Sequence, residues 1–257
     1  MPELVESVNC PRCGAPLPLE AGAVIVTCRY CGAASRMRGD RAFVLRHAML
    51  AARTDRAAAE AAIAGWMGGG VTTPPDLRRA ARVTSLECVY VPFYVFEVDA
   101  ATAYAGVLTR TGTNERRKGR LVRDYFWKVL GRRAGAFPVR EYKMPLAFKV
   151  PFDTAAMVPG SRFLNAEIDE VEAERIARAE VEAHQRELLK DLVDVVEEAT
   201  SQVTVKDAEF LHAPLWFAAY TYKDRPYAIV IDAASGEVVR GEIPPPTGGL
   251  GEFLLGR

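Results

Sequence analysis

The stretch VYVPFYVF at residues 89–96 decides the fold of this chain. Its β-branched and aromatic residues favour an extended strand that is buried in a sheet. Pro92 stands in the middle, where its missing backbone N–H predicts a bend or a bulge. The apolar run that contains the stretch, residues 88–96, is far shorter than the roughly 20 residues of a membrane-spanning helix. The stretch therefore predicts a buried strand of a globular fold.

A basic hairpin is predicted directly after this strand. Residues 104–110 and 120–130 have strand-like composition and are joined by a glycine-containing turn at 111–114. The segment 110–133 holds the candidate residues for binding an anionic partner, which are Arg110, Arg116, Arg117, Lys118, Arg120 and Arg123. Guanidinium groups suit phosphates, and the interleaved Tyr125, Phe126 and Trp127 suit stacking on bases. The competing interpretation is a solvated hairpin tip whose aromatic residues belong to the core.

The last third of the chain predicts a long helix followed by strands. Between residue 165 and about residue 199 there is no Gly or Pro. Small or apolar residues and one histidine recur there at intervals of three and four, at Ala177, Val181, His184, Leu188, Leu192, Val195 and Ala199. Such a helix is about 50 Å long, so it either breaks or projects. Residues 202–205, 215–222, 227–232 and 237–240 then predict an antiparallel meander.

The fold class expected from these elements is α+β, with antiparallel sheets packed against helices. An Ala-rich helix is predicted over residues 46–66, and the similarity of segments 91–96 and 213–218 suggests a duplicated helix-plus-hairpin unit. The expected domains are a zinc ribbon at 1–40, a helical segment with a Gly/Pro linker at 41–82, a basic β-rich domain at 83–164, the long helix with the meander at 165–243, and a flexible tail at 244–257.

Two cysteine pairs near the N-terminus predict a metal site. The sequences CPRCG at 10–14 and CRYCG at 28–32 are knuckles that bring thiolates together in pairs. Four thiolates select Zn²⁺, with iron as a common substitute in rubredoxin-like sites. The predicted ligands of one structural zinc ion are Cys10, Cys13, Cys28 and Cys31. A closed shell of four ligands stabilises a fold and leaves no position for a substrate.

Charge and the remaining reactive residues exclude several functions. Lys and Arg total 33 and Asp and Glu total 33, so bulk charge does not favour coating of nucleic acid. Residues 81–150 hold 13 basic and 6 acidic residues, whereas residues 151–257 hold 10 and 20. Cys88 and the three histidines show no spacing that indicates catalysis, so no enzyme is expected. The paired cysteines and the opening residues, which lack a secretory signal, predict a cytoplasmic location.

Five features of the chain carry a resemblance: the ribbon motif, the Ala-rich helix, the stretch at 89–96, the sequence FLNAE at 163–167 and the closing meander at 214–236. Together they resemble bacterial and archaeal TFIIB-type zinc-ribbon proteins, which are often labelled primosomal. Several relatives carry membrane segments and accompany membrane-remodelling proteins, whereas this sequence contains no such segment. The C-terminal region also resembles PepSY-type or cystatin-like domains, which bind proteins. The resemblance implies a non-enzymatic adaptor for a protein partner.

The alternative is a nucleic-acid-binding factor that uses the ribbon and the hairpin at 110–133. Peripheral membrane association through a partner and homo-oligomerisation through the long helix stay open as further interactions.

Overall fold

The computed structural model describes residues 9–17, 22–38, 41–70, 73–110, 112, 114–133 and 137–245. Strands account for 47% of the structure and helices for 20%, so the expectation of sheets with helices holds in a coarse form, with sheet dominating. Among these residues no helix is long and apolar enough to cross a membrane. Nearly all of the predicted tail at 244–257 lies outside the described residues.

The described residues form eleven strands and three α-helices. They are β1 (Ile25–Thr27), β2 (Ala34–Arg38), β3 (Arg41–Leu45), β4 (His47–Leu50), α1 (Arg56–Met67), α2 (Leu77–Ala80), β5 (Arg82–Leu108), β6 (Glu115–Leu130), β7 (Lys149–Pro151), β8 (Arg162–Phe163), α3 (Glu170–Leu188), β9 (Val195–Tyr222), β10 (Arg225–Asp232) and β11 (Val238–Gly241). Strands β1, β2 and β3 form one sheet. In the other, β11, β10, β9, β4 and β7 are neighbours in that order, and β5 pairs with β6, β8 and β9.

The chain divides into two compact units, each built from three separate segments. Unit 1 comprises Met1–His47, Pro92–Gly135 and Asn165–Leu211, and unit 2 comprises Ala48–Val91, Ala136–Leu164 and His212–Arg257. Strands β5 and β9 are long enough to supply residues to both units. The sequence predicted consecutive domains, whereas these units alternate along the chain. Each unit contains a long helix and an antiparallel hairpin; duplication of such a unit stays a prediction.

In unit 1, helix α3 packs its small residues onto the sheet. Ala173, Ala177 and Val181 lie in one buried cluster with Phe96 and Val98 of β5. Asp169 caps the helix by accepting a hydrogen bond from the backbone N–H of Glu172 at 2.9 Å. Small side chains let the helix approach the sheet closely, and the apolar stripe predicted from the sequence is correct over this part.

The predicted extension of this helix to residue 199 is wrong. Helix α3 ends at Leu188 and strand β9 begins at Val195, which is 52% exposed. Leu189 and Val193 are buried, whereas the predicted Leu188 and Leu192 are only half-buried. The backbone N–H of Asp194 donates to the carbonyl of Val107 at 3.0 Å, so pairing with β5 has already replaced helical hydrogen bonds here. The recurring valines of this segment suit a strand better than a helix.

The hairpin of unit 1 is confirmed. Strands β5 and β6 pair antiparallel from Phe93 opposite Leu130 to Leu108 opposite Glu115. Strand β5 runs through Pro92 without a break, and the carbonyl of this residue accepts a hydrogen bond from the N–H of Gly131 at 2.8 Å. Because proline has no N–H, the reciprocal hydrogen bond from residue 92 to the carbonyl of Gly131 is missing from the ladder at the end of β6.

In unit 2, helix α1 begins ten residues later than predicted. Asp55 caps it by accepting a hydrogen bond from the N–H of Ala58 at 2.8 Å. The preceding residues form β4, and Ala48–Leu50 pair with β7, so sheet pairing overrides the helix propensity of this Ala-rich segment. Ile63 of the helix is buried in a cluster with Trp216 and Ile231.

The last three segments of the predicted meander form it in unit 2, whereas the first, 202–205, is part of the same strand β9 as 215–222 and belongs to unit 1. Strand β10 pairs with β9 and β11, in both cases antiparallel. The β9–β10 turn is shorter than predicted, because Tyr222 pairs with Arg225 and only two residues intervene. Those residues, Lys223 and Asp224, have φ angles of 49° and 60°, as the turn of a two-residue hairpin requires.

Candidate metal centre and basic hairpin

The four predicted cysteine ligands come together. Their Sγ atoms all lie within 4.8 Å of one another, with Cys10 and Cys31 at 3.6 Å and Cys13 and Cys28 at 3.7 Å. A tetrahedral ion with metal–sulfur bonds of about 2.3 Å places sulfur atoms about 3.8 Å apart. The cluster is therefore compatible with a four-thiolate metal site.

Glycines close both knuckles. The N–H of Gly14 donates to the carbonyl of Cys10 at 2.8 Å, and that of Gly32 donates to the carbonyl of Cys28 at 2.9 Å. Their φ angles of 73° and 69° are left-handed, which a residue with a Cβ atom rarely adopts. These residues position the second ligand of each pair, which explains why glycine follows each Cys-x-x-Cys sequence.

The ionisation of the thiols also fits a bound cation. Burial raises the pKa of Cys10, but hydrogen bonds from the backbone N–H groups of Arg12 and Cys13 outweigh it and lower the pKa to about 7. Burial and the neighbouring thiols raise the pKa of Cys31 to about 12. The Cys10 thiolate therefore forms more readily than the Cys31 thiolate, and a bound cation would stabilise both.

The ribbon is joined to the rest of unit 1 by a segment that sequence reasoning did not connect with it. The Asn165 side chain accepts a hydrogen bond from the N–H of Thr27 at 2.9 Å, and Ile25 bridges to Ala166. Arg36 of β2 forms an ion pair with Asp169 at the start of α3. No local signal links residues 25–36 to residues 165–169, because the contacting residues are more than 130 positions apart in the sequence.

Three of the six candidate basic residues are engaged by carboxylates of the same chain. Arg110 lies 2.9 Å from Asp194, Arg117 lies 3.1 Å from Glu115, and the more exposed Arg116 lies 3.6 Å from Glu197. The pKa of Asp194 is lowered to about 2, chiefly because the backbone N–H groups of Thr109 and Arg110 donate to it. These acids reduce the charge that an anionic partner would meet.

The other three basic residues lie on β6 and have no carboxylate partner among the described residues. Lys118 and Arg120 are exposed, and their side chains share one face of the strand. The Arg123 guanidinium donates to the carbonyl of Val122 at 3.1 Å. The structure therefore places all six predicted residues in unit 1 but leaves only part of the set available to a partner.

Two of the three interleaved aromatic residues face α3 and not the solvent. The Trp127 indole donates to Glu180 at 2.8 Å, and the Tyr125 hydroxyl accepts from Gln185 at 3.2 Å. Both rings lie 5.6 Å from the ring of His184. Only Phe126, which is 67% exposed, points away from this cluster. The interpretation of these aromatics as a base-stacking platform therefore loses two of its three members.

The sheet face opposite α3 is the surface that sequence reasoning missed. Lys118, Arg120, Val122, Asp124 and Phe126 share it with the β5 residues paired opposite them, which include Ala103 and Ala105 and also Glu97 and Asp99. β9 also pairs with β5, and the Lys206 ammonium of β9 lies 2.7 Å from the Asp99 carboxylate of β5. Most side chains of this open face are exposed. The alternation of side chains along β6 predicts two faces, but the sequence does not show which of them α3 covers and which stays open.

The remaining reactive side chains have structural surroundings. Cys88 is buried, and this burial raises its pKa to about 12. His212 is fully buried, its pKa is lowered to about 4 by burial, and its Nε2 lies 2.8 Å from the carbonyl of Leu164. The Nδ1 of His47 lies 2.9 Å from the carbonyl of Gly32.

Comparisons of the chain with protein-family models, with curated proteins and with solved structures found no match. The interpretation of the site therefore depends on its geometry.

Proposed function

We propose that this protein is a non-enzymatic adaptor that holds one structural Zn²⁺ and binds a protein partner through the hairpin of unit 1. The observation that carries the proposal is the orientation of β6. Its aromatic residues Tyr125 and Trp127 serve the packing of α3. Its exposed side chains are mostly basic, with the apolar Val122 and Phe126 and two acidic residues among them. Exposed apolar residues beside charges are typical of protein-binding surfaces.

The zinc ion is assigned to Cys10, Cys13, Cys28 and Cys31, whose spacing fits a tetrahedral thiolate shell. The ion supplies cohesion to the ribbon and no reaction. The resemblance to TFIIB-type zinc-ribbon proteins supports the adaptor role, and thiolate ligands are favoured in a reducing compartment such as the cytoplasm.

Binding of nucleic acid is the alternative, and Lys118 and Arg120 favour it because no carboxylate engages them in the described part of the chain. We test it by fluorescence anisotropy with generic DNA and RNA at several salt concentrations. Phosphate contacts make the affinity fall steeply with salt.

We expect weak nucleic-acid binding that replacement of Arg116, Arg117, Lys118 and Arg120 by Ser leaves unchanged. Sub-micromolar binding at about 150 mM salt that this replacement abolishes would support the alternative over the adaptor. Capture of partners from native extract with and without nuclease gives the complementary measurement, since a protein partner survives nuclease treatment.

A further inference from the structure

Strand β6 is an edge strand of unusual length. Among the described residues it pairs with β5 alone, and it spans 16 residues. Natural sheets keep such edges short, cover them or line them with charged side chains, because the unpaired backbone groups recruit other strands. The basic side chains of β6 are a device of the last kind, and they leave an oppositely charged strand as the one that the edge can accept.

The register identifies the backbone groups that face this open side. The N–H of Gly131 donates to the carbonyl of Pro92, and residues 93–108 and 115–130 continue the pairing without a shift. In an antiparallel ladder, the residues that bond the neighbouring strand alternate. The odd-numbered residues of β6 therefore bond β5, and the even-numbered residues direct their N–H and C=O groups to the open side.

One of these outward groups is already engaged by a donor. The carbonyl of Val122, an even-numbered residue, accepts a hydrogen bond from the Arg123 guanidinium at 3.1 Å. This contact agrees with the register and shows that the edge accepts hydrogen bonds from outside the ladder. A partner strand supplies such donors and acceptors at every second residue.

Charge decides which partner strand fits. Strand β6 contains six basic and two acidic residues, so its net charge is +4. Opposite charges in cross-strand pairs are favourable, and like charges directly opposite each other are unfavourable. A second copy of β6 would bring two such strands together, whereas an acidic strand would be attracted to Lys118 and Arg120.

We propose that the open edge of β6 binds an extended acidic segment of a partner protein by strand addition. The inference rests on the proposed adaptor function and names the chemistry of its partner. Backbone hydrogen bonds hold the added strand, and Lys118 and Arg120 select carboxylates on its facing side chains. The exposed Val122 and Phe126 contact apolar side chains farther along the same face of the added strand.

The test uses a fluorescent peptide of about ten residues, added to the full chain with its metal. Every second residue, all on one face of the extended peptide, is Glu in one half and Val in the other. A matched peptide carries N-methyl groups on every second amide, which removes the donors and preserves the charge. We expect the first peptide to bind, and N-methylation on the pairing side to weaken binding by at least about tenfold.

Two protein variants complete the test. Lys118→Ser with Arg120→Ser is expected to weaken peptide binding severalfold, most clearly at low salt. Arg78→Ser with Arg79→Ser removes the same charge from an exposed part of α2 in unit 2 and is expected to change nothing. In ¹⁵N spectra, the largest shifts on peptide addition should fall on the amides of even-numbered residues 116–126.

Equal binding of both peptides would overturn strand addition and leave charge attraction alone. Self-association in sedimentation experiments that Val122→Pro abolishes would replace the acidic partner with a second copy.

If the peptide does not bind but the chain still captures a protein from nuclease-treated extract, this inference fails and the adaptor function stands. If the peptide binds by strand addition but nucleic acid binds with sub-micromolar affinity, the adaptor function fails and the edge chemistry stands.

Discussion

The two hairpins of this protein have similar pairing and opposite surroundings. In unit 2, β10 pairs with β9 on one side and β11 on the other, and residues 229–232 are buried. In unit 1, β6 pairs with no strand other than β5 in the part of the chain that the structure describes, and residues 115–120 are all exposed. One hairpin is part of a closed core, and the other presents a free edge. The comparison shows that an antiparallel hairpin acquires a structural or a binding role from what covers its second strand.

The two units also differ in what stabilises them. Unit 2 relies on apolar burial, with Trp216, Tyr220 and Ile231 in one cluster. Both units contain ion pairs, such as Arg132 with Glu167 in unit 1 and Arg162 with Glu87 in unit 2, but unit 1 adds the thiol cluster. A metal ion contributes where a small ribbon supplies little apolar area. Changes of equal size in the two units should therefore have different consequences.

The largest expected contrast is between two cysteines. Cys13→Ser in unit 1 should abolish the binding of about one equivalent of zinc and unfold the ribbon, because zinc binding to such sites contributes about 10 kcal/mol or more. Cys88→Ser in unit 2 should keep the metal. Metal analysis by mass spectrometry checks both variants, and release of zinc by Cys88→Ser would refute the ligand assignment.

The next contrast compares the two hairpins directly. Ile231→Ala on β10 removes a fully buried side chain and should lower the free energy of unfolding by about 2–5 kcal/mol. Phe126→Ala on β6 removes a ring that is 67% exposed and should change it by about 0.5 kcal/mol or less. Urea unfolding measures both. A large loss from Phe126→Ala would show that the face opposite α3 is covered.

The smallest expected effect is a difference in pH dependence between two aspartates. Hydrogen bonds from Thr109 and Arg110 lower the pKa of Asp194 to about 2, whereas burial raises the pKa of Asp232 above 3.8. The contribution of Asp194 to stability is complete above pH 3.8 and lost as the pH falls through about 2. Asp232 has the opposite effect. Burial in the folded protein favours its neutral acid, so the free energy of unfolding falls as the pH rises above 3.8.

Urea unfolding between about pH 2 and pH 6 separates these contributions. Asp194→Asn should reduce the loss of stability in acid, and Asp232→Asn should reduce the loss on going up from pH 3.8. Each variant is the control for the other. An Asp194→Asn variant with the same acid dependence as the unchanged protein would contradict the role of the hydrogen bonds at Thr109 and Arg110.

Predictions from local sequence signals succeeded. The Cys-x-x-Cys pairs, the strand at 89–96 and the turn near Lys223 were all readable because their structure depends on neighbouring residues. The helix boundaries were wrong at both predicted helices. Residues 47–50 and 195–199 have patterns compatible with a helix, but they pair in sheets with β7, and with β5, whose residues lie far away in sequence.

The sequence by itself determined which residues approach the metal site and which stretch forms each hairpin, because turn geometry and ligand spacing act over a few residues. Only the tertiary structure decided that Tyr125 and Trp127 pack toward α3, that acidic residues engage half of the predicted basic set, and that β6 keeps an open edge. Strand alternation shows that a strand has two faces, but it does not show which face a helix covers. That choice depends on packing between distant segments, since burial of apolar area is summed over the whole unit.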